Sequence, residues 1–247
     1  MAAKPPCLKD PNQVVLIGDS YINWVSHNFP TDLANEAGVT YRNYAQPGYA
    51  MASGGLGLIP PEFDQAVADD PNIIAAVMTG GGNDVLIPNT AQYPDGDLCK
   101  NDRNSPNIKD CQAIGQRALA VASDLLDRMA KAGVKDIVYF FYPHVPEGTV
   151  AGGSYPNEIS DYARPKYKAL CEGANKQTGG KLNCYFVDLV PVLDNEKGDP
   201  ILLYFAPTDI HPNPMGSVRM ARAVWSVMKE KCIAQPASSG CCAQRGL

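Results

Sequence analysis

The sequence has no apolar run that approaches membrane-spanning length, so no membrane insertion is expected. It has no surplus of positive charge either. Its 21 Lys and Arg stand against 26 Asp and Glu, well mixed, for a net charge of −5. Without a basic stripe to displace counterions, nucleic acid is not an expected partner, nor is an anionic lipid face. Histidine is scarce, with three residues, and none of the eight cysteines forms a C-x-x-C pair. A zinc site of the usual spacing is unsupported, and neither metal nor cofactor is expected. No G-x-G-x-x-G opens a helix, and there is no Walker motif and no G-x-S-x-G elbow. That argues against a nucleotide-binding enzyme and against an α/β-hydrolase built on that elbow. There is no Asn-x-Ser/Thr sequon, internal repeat, heptad run or low-complexity block. The opening residues Met1-Ala2-Ala3-Lys4-Pro5-Pro6 lack the apolar stretch of a secretory leader, which reads as a mature chain with an added start methionine.

What is present is ordinary for a globular protein. A length of 247 residues suits one large domain better than two small ones. A single domain over 1–247 is expected, with a core at about 13–230 and disulfide-bearing extensions at 1–12 and 231–247. A monomer is expected. Cysteine is the unusual component: Cys7, Cys99, Cys111, Cys171, Cys184, Cys232, Cys241 and Cys242 form an even set. Cys99 with Cys111, and Cys171 with Cys184, bracket short polar segments. Each bridge would close a loop worth roughly 3 kcal/mol in the chain-entropy model. The set is read as disulfides, hence an exported protein, secreted or periplasmic. The alternative is eight thiols in a cytosolic enzyme. Adjacent Cys241 and Cys242 are expected to reach different partners, with Cys7 and Cys232 as candidates.

Short apolar strands alternate with amphipathic helices. Gln13–Ile17 is an apolar run stopped by Gly18, as in a strand buried on both faces. Further strands are expected over Thr40–Tyr44, Asn72–Met78, Ile137–Tyr142 and Cys184–Asp188. Helices are expected over Cys111–Ala132, with Gly133 as C-cap, over Ser160–Lys176, with Pro165 as a kink or late first turn, and over Pro214–Lys231. This alternation predicts a parallel sheet with helices on both sides. Two irregular stretches, Ile87–Asp110 and Pro143–Asn157, are candidates for the lid or wall of a cleft, or plain surface insertions.

In an open parallel sheet, ligands bind beyond the carboxyl ends of the strands. Gly18-Asp19-Ser20 follows the first strand and Gly48 the second. Gly81-Gly82-Asn83-Asp84 follows the third, Tyr142-Pro143-His144 the fourth, and Thr208 to Asn213 precedes the last helix. These residues would share one edge. A serine in a strand-to-helix turn is a weak nucleophile that needs a base, and His211 is the candidate. The tetrahedral intermediate needs preorganised donors. The N–H groups of Ser20 and Gly48 and the Asn83 amide are the candidates.

Those four blocks in this order resemble the GDSL/SGNH hydrolases: Gly18-Asp19-Ser20, Gly48, Gly81-Gly82-Asn83-Asp84, and His211-Pro212-Asn213. The resemblance runs from about residue 13 to 230. It implies a three-layer α/β/α flavodoxin-like fold with a central five-stranded parallel sheet and ester hydrolysis without a metal. It also implies Ser20 as nucleophile, His211 as base, and Ser20, Gly48 and Asn83 as oxyanion hole. One position departs from the family pattern. The family places an aspartate three residues before the histidine, where this chain has Thr208; its aspartate, Asp209, is two residues before. Asp209 is taken as the third member, provided the turn is reshaped. Otherwise the Thr208 hydroxyl or a backbone carbonyl would orient His211 and leave a dyad.

Asp19 and Asp84 are read as structural hydrogen-bonders, and His27 as a helical surface or packing residue. Tyr21, Tyr49, Tyr142 and His144 are candidate substrate contacts, with plain packing as their ordinary alternative. The expected activity is a serine esterase acting on short-chain acyl, aryl or acetylated-carbohydrate esters. The alternatives are an acyltransferase, a (lyso)phospholipase or thioesterase, or a non-catalytic carbohydrate-binding module.

Overall fold

A computed structural model describes residues 8–87, 107–147, 155–207, 209–235 and 241. Its centre is a five-stranded, all-parallel sheet: β1 (Val14–Ile17), β2 (Arg42–Asn43), β5 (Ala75–Met78), β6 (Asp136–Phe141) and β7 (Asn183–Asp188), in spatial order β2-β1-β5-β6-β7. Each residue of β1, β5 and β6 is buried, which is why these segments read as unbroken apolar runs. A two-stranded ribbon, β3 (Tyr49–Ala50) with β4 (Gly57–Leu58), lies apart from the sheet.

The period of two along each strand divides the core into two faces. Val15, Ile17, Ala76, Met78, Ile137, Tyr139 and Phe141 face one way, against α2 (Pro60–Asp69), α4 (Ile108–Ala132) and α5 (Tyr155–Gln177). Val14, Leu16, Ala75, Val77, Val138 and Phe140 face the other, against α1 (Phe29–Ala37) and α7 (Pro214–Glu230). The result is the three-layer α/β/α arrangement. Short α3 (Gly82–Leu86) and α6 (Val190–Leu193) follow β5 and β7. Truncating a fully buried ring such as Phe140 would cost about 3–5 kcal/mol.

Helix ends follow local chemistry. Asn107 caps α4 through Lys109 N–H, and left-handed Gly133 closes it. Asn213 accepts from the N–H groups of Met215 and Gly216, and Pro214 opens α7. Some elements differ from the expected spans. The second strand shrinks to Arg42–Asn43, at the sheet edge. The third begins at Ala75, because the Ile74 N–H pairs with the Gln13 carbonyl outside the ladder. Pro165 lies in mid-helix, since α5 begins at Tyr155. α1, α2 and the β3–β4 ribbon lie outside the expected elements.

Two disulfides have both halves described. Cys171–Cys184 joins α5 to β7, as expected, and Cys232–Cys241 ties the segment after α7 to the C-terminal region. Cys111 is also disulfide-bonded. The expectations for Cys7, Cys99 and Cys242 lie outside the described residues. No described helix is long and apolar enough to cross a membrane.

Candidate active site

The chain runs from β1 to β2 on one side of the sheet and then crosses to β5 on the other. The carboxyl ends of β1 and β5 therefore flank the switch point where such sheets place their ligands. Gly18-Asp19-Ser20 leaves β1 there, and Gly81-Gly82-Asn83-Asp84 leaves β5. Gly18 has φ +145°, and a Cβ on it would lie 2.7 Å from the Thr79 carbonyl oxygen. Only glycine permits that approach of the two strand ends.

Ser20 is buried, and its Oγ donates to His211 Nε2 at 2.8 Å. His211 Nδ1–H donates to Asp209 Oδ1 at 2.6 Å. The turn that carries them is folded back on itself. The Asp209 N–H bonds the Ala206 carbonyl, the Ala206 N–H bonds the His211 carbonyl, and Phe205 bridges to Pro212. That reshaped turn brings the aspartate two residues before the histidine into reach. Thr208 lies outside the described residues.

Burial works downward on the His211 imidazole, against the opposing Asp209 carboxylate, and holds its pKa below 6.5. Burial works upward on Asp209, but the charge and hydrogen bond of His211 and the Trp24 indole N–H bring it below its usual value. At neutral pH the site thus pairs a neutral imidazole with an ionised carboxylate, the state in which a histidine can accept the serine proton.

The candidate donors are placed by buried carboxylates. Asn83 Nδ2 donates to the Tyr49 carbonyl at 2.8 Å, which sets it beside the residue after Gly48 and leaves its second hydrogen without a partner among the described residues. The Ser20 and Gly48 N–H groups have no partner among the described residues. Gly48 takes φ +77°, a conformation that L side chains rarely adopt. Asp84 accepts from the N–H groups of Met51, Ala52 and Ser53, so it braces the loop beyond Gly48 against α3. Glu62, buried on α2, accepts from the N–H groups of Gly18 and Gln46 at 2.7 and 3.0 Å. It ties the turn of Ser20 to the Gly48 loop. Burial pushes Glu62 up to about 9, and both Asp19 and Asp84 up to about 6.

Ser20 and Asn83 open onto an apolar cavity whose empty space, mouth included, is about 730 Å³. Val85, Leu86, Phe141, Val145, Ile159 and Ala163 are among its walls. Pro143, Val145, Pro156 and Asn157 contribute, so the ends of the second irregular stretch form a wall. Tyr21 and Tyr142 also line it, but their hydroxyls are engaged. Tyr21 donates to the Ile210 carbonyl, and Tyr142 donates to Asp19 while accepting from the Gly82 N–H. Tyr49 is not among the described residues that line the cavity: its carbonyl accepts from Asn83, and its ring packs over Gly57. His144 does not line this cavity. It sits on a separate open groove, between Asp161, Asp194 and the Gly198 carbonyl, which hold it above its ordinary pKa despite burial.

His27 is a correction. It lies in the turn between β1 and α1, not in a helix, and is buried. Its Nε2–H donates to the Ser20 carbonyl at 2.9 Å, and burial lowers its pKa to about 4, so it is neutral. Trp24 and Glu62 carry no motif and have no signal in the sequence; each matters through a partner remote along the chain.

A sequence model of the GDSL-like lipase/acylhydrolase family matches residues 16–219. The chain belongs to that family. No curated protein matches this GDSL-like hydrolase. Its fold is similar to that of a GDSL-like lipase from Bacteroides thetaiotaomicron, at 15% identity and a TM-score of 0.55, with 93% of each chain covered. It is also similar to a carbohydrate acetylesterase family member from Sinorhizobium meliloti, at 14% identity and a TM-score of 0.56, over 88% of this chain and 97% of that one. An acetyl xylan esterase from the rumen bacterium Butyrivibrio proteoclasticus is similar at 15% identity and a TM-score of 0.51, over 89% of this chain and 64% of that one. At such identities the likeness is one of fold.

Proposed function

We propose that this GDSL-like hydrolase is a serine esterase that cleaves carboxylic esters through an acyl-enzyme. The observation that carries the reading is the continuous hydrogen-bonded chain Ser20 Oγ, His211 Nε2, His211 Nδ1, Asp209 Oδ1, with links of 2.8 and 2.6 Å. In the first half-reaction Ser20 Oγ attacks the ester carbonyl carbon while its proton passes to His211 Nε2. The carbonyl oxygen becomes an oxyanion, received by the Ser20 and Gly48 N–H groups and the free Asn83 amide hydrogen. Collapse expels the alcohol, which takes the proton from His211. In the second half, His211 activates water, the same oxyanion site is used again, and the acid leaves with Ser20 restored. Asp209 stabilises the imidazolium in both halves.

The apolar walls of the cavity suit the acyl group. Short-chain acyl and aryl esters fit that description. Acetylated carbohydrate remains within it, a substrate class also suggested by the names of two fold relatives. The disulfides support an exported protein.

The test is hydrolysis of a p-nitrophenyl short-chain ester by the wild type and by Ser20→Ala. Loss of turnover to background, with loss of fluorophosphonate labelling, is expected. Equal turnover in the variant would remove Ser20 from the chemistry.

A further inference from the structure

Trp24 touches both groups that stand behind the nucleophile. Its ring stacks on the His211 imidazole, with centroids 4.1 Å apart and planes inclined by 23°. Its indole Nε1–H donates to Asp209 Oδ2 at 3.2 Å. That oxygen is not the one His211 uses, since both the imidazole Nδ1–H and the His211 backbone N–H go to Oδ1.

The turn that carries Trp24 is anchored at both ends of the site. Ser26 Oγ donates to the Pro212 carbonyl, beyond His211, and the neighbouring His27 donates to the Ser20 carbonyl. The Asn23 amide reaches the Ala45 carbonyl on the way to the Gly48 loop. Residues 23–27 therefore strap the nucleophile turn to the 209–212 turn.

We propose that Trp24 is a positioning residue of this site: its indole N–H holds Asp209 and its ring holds the plane of His211. The proposal rests on the reading of Ser20, His211 and Asp209 as a catalytic unit. The need for such a residue lies in the turn itself. Asp209 is about one-third exposed, so water competes for its second oxygen. A carboxylate held through one oxygen alone can rotate away from the imidazole, and a specific donor on the other oxygen prevents this. The indole face also covers one side of the imidazole and favours the cation that forms on it when Ser20 gives up its proton. Trp24 is not among the described residues that line the cavity, so it acts on turnover and not on acyl binding.

The experiment compares full-length wild type, Trp24→Phe, which keeps a ring but loses the donor, and Trp24→Ala, which loses both. The readouts are kcat and KM on a p-nitrophenyl ester and the downfield proton signal of the His211 Nδ1–H. In Trp24→Ala, kcat is expected to fall roughly ten- to a hundredfold with KM nearly unchanged. The Nδ1–H signal is expected to broaden by exchange with water. Trp24→Phe is expected to show a smaller fall in kcat and partial loss of the signal. Wild-type kcat and a wild-type Nδ1–H signal in both variants would overturn the proposal, as would a loss confined to KM. If Trp24→Ala does not fold, Trp24→Phe decides by the same criteria. The proton signal is read without turnover. If Ser20→Ala hydrolyses as well as wild type while Trp24→Ala loses the signal, the esterase reading fails and the positioning role stands.

Discussion

His211 Nδ1 lies 2.6 Å from Asp209 Oδ1 although a single residue separates them in the chain. The contact exists because the 206–211 turn closes on itself through paired backbone bonds between Ala206 and both residues 209 and 211. Asp209→Asn is expected to lower kcat by about 1,000- to 10,000-fold, the range for a triad aspartate. It also carries a pH signature. Burial holds His211 below its ordinary value while Asp209 pulls it upward. Wild-type kcat/KM should rise with pH through that lowered pKa and be level at neutrality. Removing the Asp209 charge moves the acid limb to still lower pH. A pH–rate profile with an unshifted limb and near-normal kcat would show that Asp209 is a bystander.

The proposed oxyanion donors are open to a graded test. Asn83→Ala should reduce kcat by about 100- to 1,000-fold with little change in KM. Asn83→Asp should be worse, because a carboxylate repels the developing negative charge. Gly48→Ala places a Cβ at 2.9 Å from the Leu56 side chain on a backbone at φ +77°. The exposed Leu56 can yield, but the φ strain stays, so reduced kcat in a folded protein is expected. Steady-state kinetics with a thermal melt of each variant makes the comparison; full activity in Asn83→Ala excludes its amide from the reaction.

Glu62 makes stability fall at alkaline pH. Its pKa is pushed from 4.5 up to about 9 by burial, so in that window the folded chain holds a proton that the unfolded chain has lost. Stability then declines with rising pH, by up to about 1.4 kcal/mol per pH unit. Asp19 and Asp84 act the same way only up to about pH 6, and His27 acts oppositely between about 4 and 6.5. Asp194, raised to about 6, acts like Asp19 and Asp84, and His144, held above 6.5, adds to the fall at higher pH, so between about pH 7 and 9 Glu62 is read as the difference between wild type and Glu62→Gln. Urea midpoints across that interval should fall in the wild type and fall less steeply in Glu62→Gln; equal slopes would contradict the assignment.

The Cys171–Cys184 bridge closes a loop across 13 positions between α5 and β7, remote from Ser20. Replacing both cysteines by alanine should cost about 2–4 kcal/mol and lower Tm by roughly 5–15 °C. Initial rates at 25 °C should stay at the wild-type level. A large loss of kcat in a fully folded variant would mean that this bridge shapes the site.

Much of the architecture was legible because its signals are local. Strands buried on both faces must be apolar throughout, so β1, β5 and β6 stand out as runs. Amphipathic α4 and α7 stand out by helical spacing and by their end residues. β2 and the β3–β4 ribbon, at two residues each, offer no period to read. α1 and α2 run for nine and ten residues, so each offers fewer than three turns of period. His27 is not helical because the stretch after Ser20 is held as a turn by its bonds to Ser20 and Trp24.

Backbone period and strand-end glycines act over a few residues, so β1, β5, β6, β7, α4, α5 and α7 and the four blocks around Ser20, Gly48, Asn83 and His211 are readable from residues alone. That Asp209 reaches His211, that Trp24 and Glu62 contact the site from remote positions, and that His144 does not line the cavity follow from the folded chain alone. Those outcomes depend on turn closure and on partners as far as 185 positions apart, where burial and hydrogen-bond geometry, rather than local propensity, select the contact.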